Sequence, residues 1–410
     1  MDMDSFIVLL FLFLARAEAA SHGVGREGKA GGAVLLPLRL QEVAPPPRAP
    51  ANRLRFRHNV SLTVSVAVGT PPQNVTMVLD TGSELSWLLC NGSSVSPPAP
   101  FNASASFTYG AVDCSSPACV WRGRDLPVRP FCDAPPSTAC RVSISYADAS
   151  SADGLLVADT FVLGAQAVPA LFGCITSYSS STAANNNATD PSEAATGLLG
   201  MNRGSLSFVT QTATLRFAYC IAPGQGPGIL LLGGDGGAAP PLNYTPLIEI
   251  SQPLPYFDRV AYSVQLEGIR VGRALLAIPK SVLTPDHTGA GQTMVDSGTA
   301  FDACFRGPEE RVSAASRLLP EVGLVLRGAE VAVAGEKLLY SVPGERRGEE
   351  GEEAVWCLTF GNSDMAGMSA YVIGHHHQQD VWVEYDLQNG RVGFAPARCE
   401  LATQRLGAQV

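Results

Sequence analysis

Alternation of apolar and polar residues is the main pattern of the chain from about residue 58 onward. The apolar residues of segment 62–68 occupy every second position, as expected of a β-strand with one buried face. The turn residues 69–72 follow, and the apolar segment 75–79 then predicts a second strand. The first half of the chain is therefore predicted to consist of short strands joined by tight turns.

The second half repeats this pattern. Segments 262–266 and 268–271 are predicted strands, and segments 381–386 and 391–394 flank Asn389-Gly390, a strong hairpin signal. The 41 glycines and 30 prolines also favour many short strands over long helices. The pattern predicts an all-β protein.

Each half contains one copy of a short motif directly after a predicted strand. Val78–Ser83 (VLDTGS) and Met294–Thr299 (MVDSGT) both consist of two apolar residues, Asp, a hydroxyl residue, Gly and a hydroxyl residue. Two carboxylates about 3 Å apart cannot easily both ionise, so one stays protonated while the other acts as a base. Gly82 leaves room for backbone N–H groups to approach the carboxylate of Asp80. If Asp80 and Asp296 meet, they can activate a water molecule and protonate a scissile amide.

Length and charge narrow the class of protein. A chain of 410 residues is long enough for two lobes, each with its own core. The formal net charge of −9 argues against a nucleic-acid partner.

The N-terminal region is typical of a secreted protein. Residues 1–20 contain the apolar run Phe6–Leu14 and a small-x-small cleavage signal at Ala17-Glu18-Ala19, which together predict a signal peptide. Residues 21–57 lack periodicity and are predicted to be a linker or removable prosegment, with a disordered leader equally consistent. No later stretch is apolar enough to be a membrane helix.

Cysteines and glycosylation motifs point to the same compartment. Ten cysteines suit an oxidising environment, and the five between residues 90 and 140 lack a paired zinc-type spacing, so disulfides are predicted. A boundary near residue 240 leaves seven cysteines before it and three after, so complete pairing requires a disulfide between the halves. Six sequons are candidate glycosylation sites: Asn59, Asn74, Asn91, Asn102, Asn187 and Asn243.

Several further motifs carry a resemblance to a known family. The chain resembles the pepsin-like aspartic proteases, specifically the plant nepenthesin-like branch, from about Ser61 to Cys399. Beyond the two Asp motifs, the similar segments are Phe172–Cys174, Gly197–Gly204, Phe217–Cys220 and Val383–Leu387. Glu84–Trp87 resembles the subgroup associated with cell survival in plant reproductive tissue.

The resemblance implies an architecture and an activity. It implies a bilobal all-β fold with a cleft between an N-terminal lobe, 58–239, carrying a Cys-rich insertion, and a C-terminal lobe, 240–402. The implied activity is that of an aspartic endopeptidase acting on peptides or proteins at acidic pH as a monomer, without a metal or an organic cofactor. The extracellular cell-wall space is the expected location, with the endoplasmic reticulum or vacuole as alternatives.

The resemblance also implies roles for individual residues. Asp80 and Asp296 would hold the nucleophilic water, Thr81 and Ser297 would brace the two loops, and Gly82 and Gly298 would complete the motifs. Ser83 and Thr299 would bond the outer carboxylate oxygens. Tyr146 would lie on a flap that closes over the peptide. Cys174 and Cys399 would form the disulfide between the lobes, and Cys304 and Cys357 are further disulfide candidates.

One segment departs from the family pattern. Asp296 reaches Val372-Ile373-Gly374 within fewer than about 80 residues, whereas Asp80 reaches Leu198-Leu199-Gly200 after about 120. A segment after residue 299 is therefore predicted to be missing, together with a strand that would support Asp296 and part of the substrate-binding wall. The run His375–His377 is predicted to be a solvated strand edge, because consecutive side chains on an extended segment cannot all bind one ion.

The shortened second lobe keeps two alternatives open. One is a catalytically impaired protease-like protein that binds a partner, as related plant inhibitors of glycosidases do, although such relatives usually lack one Asp motif. Retention on an immobilised transition-state-mimicking peptide discriminates between this alternative and an enzyme. The other is a non-functional product of altered splicing, which predicts poor secretion and aggregation.

Overall fold

The computed structural model describes residues 33–42, 58–90, 101–132, 138–146, 150–179, 195–224, 226–234, 239–298, 300–301, 303–347, 353–363 and 369–407. The predicted signal peptide, the sequons at Asn91 and Asn187, and Thr299 lie outside these residues. In the described part of the chain, no helix is long and apolar enough to cross a membrane.

Short strands make up most of the described structure. The strands of the first half are β1 (Val34–Glu42), β2 (His58–Val68), β3 (Gln73–Asp80), β4 (Trp87–Leu89), β5 (Gly110–Ala111), β6 (Phe131–Cys132), β7 (Cys140–Ser145), β8 (Ser151–Leu163), β9 (Gln166–Ser179), β10 (Gly197–Gly200), β11 (Arg216–Cys220) and β12 (Gly228–Leu232).

The strands of the second half are β13 (Asn243–Pro246), β14 (Ser263–Val264), β15 (Leu266–Val271), β16 (Ala274–Leu275), β17 (Gln292–Val295), β18 (Ala300–Phe301), β19 (Cys304–Pro308), β20 (Val322–Leu326), β21 (Ala329–Val333), β22 (Leu339–Arg347), β23 (Glu353–Leu358), β24 (Ala370–Ile373), β25 (Val381–Asp386) and β26 (Arg391–Pro396).

Helices are short. The α-helices are α1 (Pro117–Val120), α2 (Phe208–Gln211), α3 (Lys280–Leu283), α4 (Glu309–Ser316) and α5 (Cys399–Arg405). Four 3₁₀ segments, Ala103–Ala105, Arg122–Asp125, Gly335–Leu338 and His375–Gln378, complete the described helical structure.

One large sheet connects the two halves of the described chain. Sixteen strands belong to it, and β11 joins strand β25 of the second half to β12, β1 and β2 of the first. Three smaller sheets, of three, four and three strands, are built from second-half residues. Leu62, Val64, Val66 and Val68 are buried as their alternation predicts, and β25 pairs with β26 around Asn389-Gly390. The all-β prediction is confirmed.

Strand β1 departs from the sequence prediction. Residues 21–57 are predicted to be a linker or removable prosegment, but Val34–Glu42 lies between β12 and β2 in the large sheet. Leu38 and Leu40 are buried there, because they extend the apolar face of the neighbouring strands. The interpretation as a linker or disordered leader is wrong for these residues. Removal of this region by processing stays a prediction.

Five disulfides pair all ten cysteines, and one predicted pairing is wrong. Cys399 pairs with Cys220, not with Cys174, and Cys174 pairs with Cys90. The reason is strand placement, since β9 runs parallel to β4 and brings Cys174 to a Cα–Cα distance of 5.5 Å from Cys90. The expectation of a disulfide across residue 240 is nevertheless confirmed.

Each of the remaining three disulfides joins two cysteines of the same half of the chain. They are Cys114–Cys132, Cys119–Cys140 and Cys304–Cys357. Cys114, Cys119 and Cys132 also cluster closely enough to resemble a metal site. Their sulfur atoms are held in disulfides, so the expected preference for disulfides over zinc is confirmed in this region.

Candidate active site

The two Asp motifs occupy equivalent positions in two copies of one strand arrangement. Asp80 ends β3, which runs parallel to β10, and Asp80 aligns with Gly200. Asp296 follows β17, which runs parallel to β24 in the same way, with Val295 opposite Ile373. Each aspartate thus follows two apolar residues at the end of a strand that runs parallel to an apolar-apolar-Gly strand. The duplicated sequence pattern produces a duplicated local structure.

Reciprocal hydrogen bonds join the two Asp loops. The backbone N–H of Thr81 donates to Ser297 Oγ at 2.9 Å, and the N–H of Ser297 donates to Thr81 Oγ1 at 2.9 Å. Ser297 Oγ also donates to the carbonyl of Leu79 at 2.9 Å. Thr81 and Ser297 are both buried. Because these bonds connect residues more than 200 positions apart in sequence, they fix the separation of the aspartates.

The carboxyl groups themselves are held by neighbours on each loop. Gly82 N–H donates to Asp80 Oδ1 at 2.8 Å, and Ser83 Oγ donates to Asp80 Oδ2. Gly298 N–H donates to Asp296 Oδ1 at 3.0 Å. A Cβ on Gly82 would lie 2.5 Å from Asp296 Oδ2, so the second carboxyl lies against the first loop.

The electrostatics of the pair follow from this geometry. Burial raises the pKa of Asp80 and of Asp296, and the negative charge of Asp80 raises the pKa of Asp296 further. Hydrogen bonds from Ser83 and Gly82 oppose the rise in the pKa of Asp80, and Asp296 is itself a hydrogen-bonding neighbour of Asp80. The pair therefore binds one proton more readily than separate carboxyl groups would.

Tyr146, the predicted flap residue, lies at the end of the β7–β8 hairpin. Its hydroxyl accepts a hydrogen bond from Trp87 Nε1 at 2.5 Å. Trp87 lies in β4, which pairs with β10 beside Asp80. Trp87 belongs to the Glu84–Trp87 motif, but nothing in that motif predicts a place for it at the site. Residues 147–149 of the predicted flap lie outside the described residues.

A buried relay of hydrogen bonds beneath the loops was missed from sequence. Tyr385 bonds to the Thr81 side chain and lies 3.0 Å from the hydroxyl of Tyr219. Tyr219 donates its hydroxyl proton to Gln378 Oε1, so Tyr385 donates to Tyr219. Gln378 Nε2 then donates to the carbonyl of Asp296 at 2.8 Å. The relay runs from one Asp loop to the other.

The histidine run His375–His377 differs from its prediction. The three residues begin a 3₁₀ helix directly after β24, and all are buried. His375 Nδ1 bonds the carbonyl of Ser297 at 2.8 Å, His376 Nε2 bonds the carbonyl of Lys337 at 3.0 Å, and His377 Nε2 bonds Thr359 Oγ1 at 3.1 Å. The expectation of a solvated strand edge is wrong, because helical backbone turns these rings inward.

Burial of these rings predicts an acid limit of stability. Burial lowers the pKa of His376 to about 4 and of His377 to about 3, against about 6.5 in an unfolded chain. The unfolded chain then binds more protons below pH 6.5, so stability falls as pH falls from 6.5 through the folded pKa values. The free energy of unfolding lost through protonation of His376 has an upper limit of about 3 kcal/mol.

Exchange of both residues for glutamine tests this prediction. The His376→Gln, His377→Gln protein keeps an N–H donor near each Nε2 position but cannot titrate. Both proteins should lose free energy of unfolding between pH 6.5 and pH 4. We expect the loss in the double variant to be smaller than that of the unchanged protein by at least about 2 kcal/mol. Denaturant unfolding at a series of pH values measures this. Parallel pH dependences of the two proteins would contradict it.

The predicted glycosylation sites differ in exposure. Asn74 and Asn243 are exposed, and Asn102 is half-buried, with its backbone bonded to Gln73. Asn59 lies in β2.

The fold and the paired loops define the class of this protein, which is a hydrolase of the aspartic endopeptidase class. Two family models cover most of the chain: "Xylanase inhibitor N-terminal" matches residues 62–234, and "Xylanase inhibitor C-terminal" matches residues 261–303 and 299–396. The chain belongs to the plant nepenthesin-like branch of the pepsin-like aspartic proteases.

Individual relatives agree with this assignment. Aspartic proteinase PCS1 of Arabidopsis thaliana is 48% identical over 417 residues, covering 91% of this chain and 89% of the relative. Aspartic proteinase nepenthesin-2 of Nepenthes gracilis is 28% identical and covers 82% and 77%. Basic 7S globulin from soybean, at 18% identity and a TM-score of 0.57, covers 90% of this chain and 97% of its own, and it shows the fold alone.

The comparisons also bear on the segment after Thr299. The two matches to the C-terminal model overlap at residues 299–303, which is where the spacing of the motifs predicts missing residues. The alignment to the Arabidopsis relative spans more positions than the matched part of this chain can fill. In the described structure, Ala300–Phe301 pairs with β2 and Cys304 is already opposite Cys357.

Proposed function

We propose that Asp80 and Asp296 are the catalytic pair and hydrolyse peptide bonds through one water molecule. The ionised carboxyl takes a proton from the water as its oxygen bonds to the scissile carbonyl carbon. The protonated carboxyl gives its proton to the carbonyl oxygen, and the tetrahedral intermediate forms. The acquired proton then passes to the amide nitrogen as the C–N bond breaks. A hydroxyl of the intermediate returns its proton to the other carboxyl, so the product carbonyl forms and the singly protonated pair is restored. Each step balances without a further reactant.

The reciprocal bonds between Thr81 and Ser297 carry this proposal. They are buried, they join the two loops directly, and they set the distance at which one proton can serve two carboxyl groups. Catalytic groups that are already held in place need little rearrangement during the reaction. Such preorganisation is the largest source of rate enhancement in many enzymes. The non-enzymatic alternative gains no support, since both Asp loops are assembled.

The substrate that suits this site is an extended peptide. Tyr146 lies at the end of a hairpin, held by Trp87, where a strand-like ligand can be covered from one side. Backbone hydrogen bonds to such a ligand would provide affinity, and apolar pockets would provide preference. We infer that the protein acts as a monomer on peptide or protein substrates and not on nucleic acid, consistent with its net charge of −9.

The pH profile of cleavage tests the proposed function. Burial and mutual charge raise the pKa values of the pair, so the singly protonated form is abundant in acid and is lost as pH rises. We expect kcat/KM for a denatured protein substrate to be highest at acidic pH and to fall toward neutral pH. Because the pKa values of the pair are raised in the folded state, the pair's contribution to the free energy of unfolding falls as pH rises above about 4. A neutral optimum would contradict the proposal.

Secretion is proposed on separate grounds. Five disulfides and the exposed sequons Asn74 and Asn243 suit the secretory pathway, with the cell-wall space as its end point. Expression of the full chain with its own leader tests this. Protein in the medium whose mobility shifts after deglycosylation is the expected result. Retention of an unprocessed chain inside the cell would contradict it.

A further inference from the structure

The backbone carbonyls of the Asp296 loop are bonded by one short helix. The carbonyl of Asp296 accepts from Gln378 Nε2 at 2.8 Å, and that of Ser297 lies 2.8 Å from His375 Nδ1. The carbonyl of Gly298 accepts from the backbone N–H of His375 at 3.4 Å. Three successive carbonyls around the second aspartate are thus held by the 3₁₀ helix His375–Gln378.

The first loop is supported differently. The carbonyl of Asp80 accepts from the backbone N–H of Met201 at 2.8 Å, and that of Ser83 accepts from the backbone N–H of Asn202 at 3.0 Å. Met201 follows Gly200 as His375 follows Gly374. Backbone donors hold the first loop at these points, whereas two of the three bonds to the second loop come from side chains, those of Gln378 and His375.

The hydrogen bond from His375 has a defined direction. A carbonyl oxygen can only accept, so Nδ1 carries the proton in this contact. The ring is 1% exposed, and burial lowers its pKa to about 4, which keeps it neutral through mild acid. The titratable groups that act on it are His376 and His377, both on the same helix.

We propose that His375 is a positioning residue for catalysis, which holds the Asp296 carboxyl in register with Asp80 by donating Nδ1–H to the carbonyl of Ser297. Ser297 is the residue whose N–H and hydroxyl bond the first loop, so its carbonyl is the remaining polar group that sets the loop's orientation. A loosened loop would displace Asp296 without removing it. The inference rests on the proposed catalytic role of Asp296.

Three variants of the full-length enzyme test this proposal. His375→Asn keeps an amide N–H at the position of Nδ1, since both nitrogens are attached to Cγ, whereas His375→Leu removes the donor. His377→Gln is the matched control, because His377 is also buried in this helix but bonds Thr359 and not the loop. For each protein, kcat and KM for one peptide substrate are measured, and active sites are titrated with a tight-binding hydroxyethylene peptide.

Loss of the Nδ1–H donor of His375 should lower turnover and not the amount of folded enzyme. We expect kcat per titrated site to fall about 10- to 100-fold in His375→Leu, with KM changed less than about threefold, because small misplacement of a catalytic group is costly. His375→Asn should stay within about threefold of the unchanged enzyme, as should His377→Gln. A merely structural role would lower the number of titrated sites and leave kcat per site unchanged.

Several results would overturn the proposal. One is unchanged kcat per site in His375→Leu, and another is an equal loss in His375→Asn and His375→Leu. If His375→Leu does not fold, His375→Ser replaces it, since its hydroxyl is too short to reach the carbonyl. If neither folds, the role is structural and the proposal fails. Failure of the catalytic role itself is distinguishable, because Asp296→Asn would then retain turnover.

Discussion

Replacement of Asp80 by asparagine is expected to lower kcat/KM for peptide cleavage at acidic pH by at least about a thousandfold. Asparagine has the same shape and keeps an oxygen for the N–H of Gly82, so the loop should persist. It can neither ionise nor exchange a proton, so the pair loses its base. Cleavage of a denatured protein and of a short peptide measures the effect.

A matched aspartate provides the control for this variant. Asp113 is exposed in the Cys-rich insertion, and its carboxyl bonds Ser115 and the side chain of Thr138, neither of which belongs to the Asp loops. Asp113→Asn should retain full activity, and a cooperative unfolding transition in denaturant should show that both variants are folded. Substantial activity in Asp80→Asn would remove the basis of the proposed function.

Replacement of Gly82 by alanine is expected to have the second largest effect. The new Cβ would lie 2.5 Å from Asp296 Oδ2 and 3.0 Å from its Cγ, distances shorter than van der Waals contact. The carboxyl of Asp296 must move away from Asp80, so kcat should fall at least about a hundredfold. Stability should change little, because the displaced atoms are the end of one side chain. Steady-state kinetics and thermal unfolding measure both quantities.

Gly298 is the equivalent position in the second motif and serves as the control. A Cβ there would meet the Asp296 carboxyl at 3.6–3.8 Å, which is ordinary contact. Gly298→Ala should therefore keep kcat within a few-fold of the unchanged enzyme. Equal losses in the two variants would show that loop flexibility, and not the close approach of Asp296 to Gly82, explains the effect.

Local sequence patterns predicted the strands and the motifs well. Alternation identified the buried face of β2, and Asn389-Gly390 identified the β25–β26 hairpin, because both depend on near neighbours in sequence. The same logic failed for β1. Its alternating leucines are visible in Val34–Glu42, but only pairing with β12 and β2 makes that strand stable.

The site was predicted in part. The repeated motif identified Asp80 and Asp296 as a pair, and the structure brings their loops together through Thr81 and Ser297. The relay through Tyr385, Tyr219 and Gln378 was missed, since its members come from β11, β25 and a 3₁₀ helix and share no local pattern. The prediction for His375–His377 was wrong because it assumed extended backbone.

The amino-acid sequence by itself determined the all-β class of the fold, the two acidic loops and the need for a disulfide across residue 240. These depend on hydrophobic periodicity, short motifs and cysteine parity, which are local or countable properties of the chain. Tertiary structure alone decided which cysteine pairs with Cys399, that Val34–Glu42 belongs to the large sheet, and that His375 faces the loop of Asp296. Each of these depends on which distant strands become neighbours, and that is set by burial and hydrogen bonding summed over the whole chain.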